Sequence, residues 1–245
     1  MSVKTSHSGA RMLAVFEAVA AEQPIGASAL ARLLGEDKSA VQRALVTLAE
    51  AGWIAPTGDK PLRWEMSARM FTLAHLPSSS DELRTRARPV LEELRDLSGE
   101  TAFLVVPDAS RFIVVEVAES RRVLRMAPRI GEVVLPERTA TGRAIMAHLP
   151  PERREALLGR ASTAAERADF AAALQGGYAV SRGEVVAGAT NLASALFDAR
   201  GVPIAAIAIA GPVDRLDEAR IAEIGPLLAQ CATRLSRGKP AVIGG

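Results

Sequence analysis

The stretch GASALARLLGEDKSAVQRALVTLAEAGWIAPTGDKPLRWEM, Gly26–Met66, limits what this chain can fold into more than any other. Leu30, Leu33 and Leu34 recur at helical spacing through Ser28–Leu34. Gly35 then supplies the residue that most easily closes a helix in the left-handed conformation. After Glu36, Asp37 is placed to cap a second helix over Lys38–Glu50, where its charge also suits the helix dipole. On that helix Val41, Ala44, Leu45 and Leu48 form one apolar stripe, while Ser39, Gln42, Arg43 and Glu50 project from the other side. Two helices joined by a short Gly-containing turn have the form of a helix-turn-helix. Ordinary helical hairpins share that form, so the pattern alone does not establish DNA binding.

The residues that follow strengthen the reading. Gly52 ends the helix, and Trp53–Ala55 and Leu62–Met66 read as strands around the turn 56–61. A hairpin directly after the second helix is a wing. Lys60 and Arg63 near its tip are candidates for phosphate or minor-groove contact; the competing view makes them solvated loop charges. Trp53 and Trp64 read as hairpin core rather than stacking platforms. The candidate DNA contacts are therefore Lys38, Ser39, Ala40, Gln42, Arg43, Thr47, Lys60 and Arg63. Residues 1–76 hold eight basic side chains and seven acidic ones, so binding has to come from placement, not bulk charge. A dimer that doubles the phosphate contacts would then be needed.

Composition narrows the remaining classes. With 49% hydrophobic and 24% charged residues in 245, the chain reads as an ordinary globular protein with room for two domains. The start, MSVKTSHSGARML, lacks the apolar core of a signal peptide, and no long apolar run suits a membrane span. A cytoplasmic location is expected, and the single cysteine, Cys231, fits a reducing compartment. The three histidines are far apart, so no zinc site and no cofactor are expected.

In chain order, Leu13, Phe16, Val19 and Ala20 make Arg11–Ala21 an amphipathic first helix, and a short helix is expected over Ser67–Leu76. Pro77-Ser78-Ser79-Ser80 marks a boundary, and Asp81–Leu97 reads as a longer helix with an apolar stripe. The expected domains are 1–77 (winged helix-turn-helix), 78–98 (linker helix) and 99–245. Beyond Gly99, β-rich runs at Thr101–Pro107 and Arg111–Ala118 form a hairpin, with extended segments at Val123–Met126 and Val133–Leu135. Helices are expected over Thr139–His148, Glu152–Leu158 and Ala165–Leu174. Strands at Tyr178–Val180, Leu192–Phe197 and Pro203–Ile209 precede a last helix over Asp214–Leu235. An antiparallel sheet covered by helices, an α+β fold of the sensory type, accounts for this order.

Three phrases then carry a family resemblance: SGETAFLVV at Ser98–Val106, IGEVVLPERTATGRAIMAHL at Ile130–Leu149, and GGYAVSRGEVVAGATNLASALFDARGVPIAAIAIAGP at Gly176–Pro212. With the winged helix-turn-helix, the chain resembles the IclR-type bacterial transcriptional regulators over nearly its whole length. The resemblance implies an N-terminal DNA-binding domain, a linker helix and a C-terminal GAF-like effector-binding domain. It also implies homodimers, or dimers of dimers, on a palindromic operator in double-stranded DNA. The chain departs from the family pattern at Gly159–Phe170, where a longer Thr-rich connection is usual. Ser181 stands where an acidic residue is common, Asn191 replaces a frequent cysteine, and Ala208 and Ala210 replace two frequent serines.

Pro203–Gly211 alternates Ile204, Ala206, Ala208 and Ala210 with Ala205, Ile207 and Ile209. An alanine face suits either close helix packing or a ligand lying against it; the resemblance favours the ligand. Positions carried over from the family are Val123, Val134, Ala140, Thr141, Ser181, Ala189, Asn191, Ala208 and Ala210. Thr139–Gly142 opens a helix whose N–H groups suit an acceptor such as a carboxylate, carbonyl or phenolate. The missing hydroxyls at Ala208 and Ala210 point to a small, low-polarity or aromatic effector. The reading is thus a ligand-responsive regulator, a repressor of a catabolic operon, without enzymatic activity. The alternatives are an enzyme or small-molecule-binding protein with a DNA-tethering module, and a pure interaction module for which a wing has no use. Against an enzyme, His148 reads as a partner for a helix C-terminus, Cys231 as core, His7 as part of a disordered tail, and His75 lies near the first boundary.

Overall fold

A computed structural model describes residues 6–58, 60–74, 79–109 and 111–240. The chain divides into two compact units, residues 1–77 and 78–245, and each is described by itself. Asp59 of the wing turn, His75, the 75–78 boundary and Ser110 of the second hairpin lie outside the described residues.

The first unit is built from α1 (His7–Glu22), α2 (Ala27–Leu34), α3 (Lys38–Glu50), β1 (Ile54–Pro56), β2 (Trp64–Met66) and α4 (Arg69–Ala74). His7 opens α1, so it does not belong to a disordered tail; Ser6 caps the helix by accepting from the Gly9 N–H. Val15, Val19, Leu30, Val41 and Leu45 are fully buried, and Ile54 and Trp64 close the same core from the hairpin. Gly35 sits at φ 64°, and its N–H reaches carbonyls of α2 as a left-handed cap does. β1 and β2 pair antiparallel with Ala55 opposite Glu65, and Ile25 bridges to Trp64 to tie the α1–α2 connection onto the wing. Trp53 meets Phe16 edge to face at 5.5 Å and carries the Arg69 guanidinium over its ring at 5.0 Å.

The second unit contains α5 (Ser79–Ser98), β3 (Thr101–Asp108), β4 (Arg111–Ala118) and β5 (Val133–Val134). It continues with α6 (Ala140–Met146), α7 (Pro151–Leu158), α8 (Ala164–Gly176), β6 (Ala179–Arg182), β7 (Ala189–Phe197), β8 (Pro203–Pro212) and α9 (Glu218–Leu235). Its six strands run in the order β5-β4-β3-β8-β7-β6 with every pair antiparallel. The period-two alternation of β8 sorts its side chains as the pleat requires. Ala205, Ile207 and Ile209 join a layer with α5 and α9, whereas Ala206, Ala208 and Ala210 face α6 and α8. The segment Val123–Met126 forms no strand: it is an irregular loop with Val123 99% exposed.

The helix read as the linker, α5, packs within this second unit. Ala87, Leu91 and Leu94 are buried in the sheet–α9 layer. Polar ties reinforce that packing: Glu116, 7% exposed on β4, accepts from Arg88 at 2.8 Å and faces Arg84 at 3.5 Å. Arg234 of α9 reaches Glu93 at 2.6 Å. Pro89 lies within α5 without ending it.

Candidate functional site

Two separate features carry the chemistry, one in each unit. In the first, Asp37 caps α3 by accepting from the Ser39 and Ala40 N–H groups and from the Ser39 hydroxyl. These bonds, the Ser39 hydroxyl foremost, hold the Asp37 carboxyl below its usual range. The acidic charge at this end of the helix is thereby occupied. Lys38, Ser39, Gln42, Arg43 and Thr47 are exposed along one side of α3. Arg43 donates to the Ser39 hydroxyl at 3.3 Å, and Thr47 donates to the Arg43 carbonyl at 3.0 Å, which aligns the row. Lys60 and Arg63 are exposed at the wing. Ala40 is a correction: it is 8% exposed and lies on the inward side with Val41 and Ala44. Its position one residue before the apolar stripe turns it under the helix, away from any partner on the outer face.

In the second unit a cavity of about 170 Å³ opens on the α6 side of the sheet. Phe103, Ala210 and Asn191 supply its floor from β3, β8 and β7. Thr139, Ala140 and Thr141 form one wall, Met126–Pro128 with Glu132 and Val134 a second, and Val185 and Val186 the rim. Five of the carried-over positions are therefore in the lining: Val134, Ala140, Thr141, Asn191 and Ala210. Val123 points to solvent on its loop and is not part of the cavity. Ala189 and Ala208 are buried outside the lining; Ala208 pairs with Ala193 and Phe103 one step along the sheet, where close packing fills the space. Ser181 is also outside the lining, directly opposite Asn191 in the β6–β7 register, and its hydroxyl is buried without a partner. Phe103, Met126, Pro128, Glu132, Val185 and Val186 were missed. They sit on loops and a neighbouring strand that no single-segment periodicity joins.

The chemistry of the lining is distinctive. Among the described residues Glu132 is its one ionisable side chain, and no Lys, Arg or His contributes. The Thr139 hydroxyl is saturated: it caps Gly142, accepts from Thr141 and donates to the Leu135 carbonyl. The nearby Arg143 is engaged elsewhere, with Glu184, Asp169 and the Val180 carbonyl. Asn191 brings the one side-chain amide to the lining among the described residues. Gly142 explains the local sequence. A Cβ there would lie 1.8 Å from the Pro136 carbonyl oxygen, so the 3₁₀ turn Pro136–Arg138 can pack against α6 only if this residue is glycine.

Among the described residues no group of three His, Cys, Asp or Glu side chains is placed to hold a metal ion. His148 stands edge to face against Phe197 at 4.7 Å, and burial lowers its pKa from 6.5. That shift favours the neutral ring. The Cys231 thiol is buried, and its pKa is raised by that burial. Among the described residues no helix is long and apolar enough to cross a membrane.

Comparison with known proteins bears on both features. Residues 76–237 match the family described as bacterial transcriptional regulator IclR C-terminal, and residues 9–58 match the IclR helix-turn-helix domain. The transcriptional repressor IclR of Escherichia coli K12 is 27% identical over 220 residues, covering 84% of this chain and 80% of the repressor. An IclR-type regulator from Silicibacter sp. TM1040 superposes with a TM-score of 0.79 at 26% identity, covering 96% of this chain and 98% of that one. An IclR homologue from Microbacterium hydrocarbonoxydans, complexed with 4-hydroxybenzoate, has the same fold at a TM-score of 0.78 and 23% identity, covering 94% and 97%.

Proposed function

Because the chain belongs to the IclR family of bacterial transcriptional regulators, we propose that it is a cytoplasmic repressor of a catabolic operon, released by a small effector. The DNA side of this reading rests on one observation: α3 presents Lys38, Ser39, Gln42, Arg43 and Thr47 as a continuous exposed row, and the wing exposes Lys60 and Arg63. Arg43 is long, charged and already aligned, which suits a base edge or a phosphate. The near balance of charge in this unit argues for two copies on a palindrome, as a homodimer or a dimer of dimers. An effector that changes the separation of two recognition helices would change affinity, since paired half-sites fix that distance.

The effector side rests on the cavity lining. A wall of Phe103, Met126, Pro128, Val134, Val185 and Val186 suits a low-polarity or aromatic molecule, with Asn191 as the neutral polar contact. A lining with a carboxylate and no cation opposes a small, strongly anionic acid. The regulatory reading is tested by footprinting the purified protein on its own upstream DNA. A protected palindrome supports it, and no protection at low salt overturns it. The effector reading is tested by calorimetric titration with glyoxylate on one side and phenol, a neutral aromatic, on the other. Tight binding of glyoxylate alone would overturn it.

A further inference from the structure

The cavity wall formed by Met126–Pro128 belongs to a loop that the hydrophobic core holds mainly through Met126. Within the loop 119–131, Val123 is 99%, Leu124 71% and Ile130 60% exposed. Two of its backbone carbonyls are instead captured from outside the loop, one by Thr101 at the start of β3 and one by Arg215, which Glu100 holds. Thr101, fully buried, donates its hydroxyl to the Met126 carbonyl and accepts from the Ser120 N–H. Glu100, 1% exposed, binds Arg215 through both carboxylate oxygens at 2.5 and 2.7 Å, and the same guanidinium donates to the Leu124 carbonyl at 2.9 Å. Arg122 of the loop approaches Glu100 at 3.7 Å and donates to the Gly99 carbonyl at 3.3 Å. The Ser120 hydroxyl reaches that same Gly99 carbonyl at 2.7 Å.

The network is continuous with the end of α5. The Ser98 hydroxyl accepts from the Glu100 N–H and donates to the Leu94 carbonyl, while Arg220 binds the Leu97 carbonyl at 2.8 Å. It is also continuous with the cavity floor. Gly211 follows Ala210 on β8, and a Cβ there would come within 2.8 Å of the Glu100 side chain, so the strand is pared back to admit this carboxylate. A buried ion pair is weak evidence for stability, because well-packed apolar residues usually do as well; its best-attested use is to fix one arrangement. An aliphatic pair at 100 and 215 would fill the same volume but could not hold the Leu124 carbonyl.

We propose that Glu100, acting through Arg215, is a positioning residue that links the movable wall of the cavity to the C-terminal turn of α5. Occupancy of the cavity displaces Met126–Pro128, and the displacement reaches residues 94–99 through the Leu124–Arg215–Glu100 chain. The proposal rests on the effector reading above and deepens it, since α5 leads back along the chain to the DNA-binding unit.

The test needs neither DNA nor a known ligand. Ala210→Leu places a larger side chain on the cavity floor as a surrogate occupant, and hydrogen exchange is followed in the full chain. In the otherwise unaltered protein, Ala210→Leu changes exchange about tenfold both at the loop 121–128 and at residues 94–100. When Glu100→Gln is added, the loop response persists and the helix-end response falls below about twofold. Urea melts check folding. Arg215→Lys, which keeps the charge but loses the fork that spans Glu100 and Leu124, repeats the experiment with less disturbance and is expected to give the same split. A helix-end response undiminished in both backgrounds overturns the proposal, as does a response to Ala210→Leu confined to the loop or absent altogether. Failure of the footprint with this split intact would instead remove the regulatory reading and leave the linkage standing.

Discussion

Gly142→Ala tests the construction of the cavity wall most directly. The added methyl would lie 1.8 Å from the Pro136 carbonyl oxygen, 2.5 Å from its carbon and 2.6 Å from Cα. All three are backbone atoms, so no side chain can swing aside. Ordinary contact begins near 3.4 Å, so the 3₁₀ turn or the start of α6 must retreat by about 1.6 Å. Overpacking of a filled core costs about 1–3 kcal/mol, and a displacement this large against backbone belongs at the upper end. The shift also breaks the Thr139 cap on the Gly142 N–H, worth about 1 kcal/mol. Better helix propensity of alanine returns about 1 kcal/mol. The net loss is about 3 kcal/mol, or roughly 6–12 °C in Tm for a unit of this size. Urea denaturation followed by circular dichroism measures it, with Gly176→Ala as the control. At that α8 position the nearest atoms lie at 3.6 Å, so an added methyl makes only ordinary contact. A loss for Gly142→Ala within about 0.5 kcal/mol of the control would refute the packing argument.

Arg43→Ala is expected to weaken operator binding by at least about 1 kcal/mol with an unchanged melting curve; equal affinity in a gel-shift titration at fixed salt would take Arg43 out of the interface. Lys60→Ala should reduce the slope of log affinity against log salt by about 1 if the wing touches a phosphate. For His148 the folded pKa lies below the ordinary 6.5, so the unfolded chain binds more protons, and stability rises with pH. Stability from this group should be complete above about pH 6.5 and decline below it, and His148→Phe should flatten that limb of the pH–stability curve. Glu116→Ala strips the buried acceptor shared by Arg84 and Arg88; a loss of about 1–3 kcal/mol is expected in urea melts, discounted toward the low end because Arg88 is half exposed.

The first unit was largely legible in the chain because its signals are local. The stripe Val41, Ala44, Leu45, Leu48, the cap at Asp37 and the glycine at Gly35 each act within one or two turns, and they fix both the helices and the outward face of α3. The misreading of Ala40 has the same local origin. Its side chain is small enough to suit either face, and only the packed helix shows which one it takes. The alternation of β8 likewise predicted which alanines share a layer, because a pleat allows only one answer.

The cavity is a different case. Its lining joins residues from β3, β7, β8, α6 and two loops, and five of the nine carried-over positions fall in it while Val123 turns out to solvent. Strand order decides which alternations become neighbours, and no single stretch encodes the order β5-β4-β3-β8-β7-β6. The role of α5 was hidden for the same reason. Its apolar stripe could be read from sequence, but what it packs against depends on β3 and β4 folding back over it and on β8 and α9 arriving from more than a hundred residues away. Sequence alone therefore determined the local elements and the exposed face of α3, where short-range sterics and periodicity suffice. Tertiary structure alone decided the cavity, the carboxylate of Glu132 in its lining, and the Glu100–Arg215 tie beyond the end of α5, because each requires groups far apart in the chain to meet.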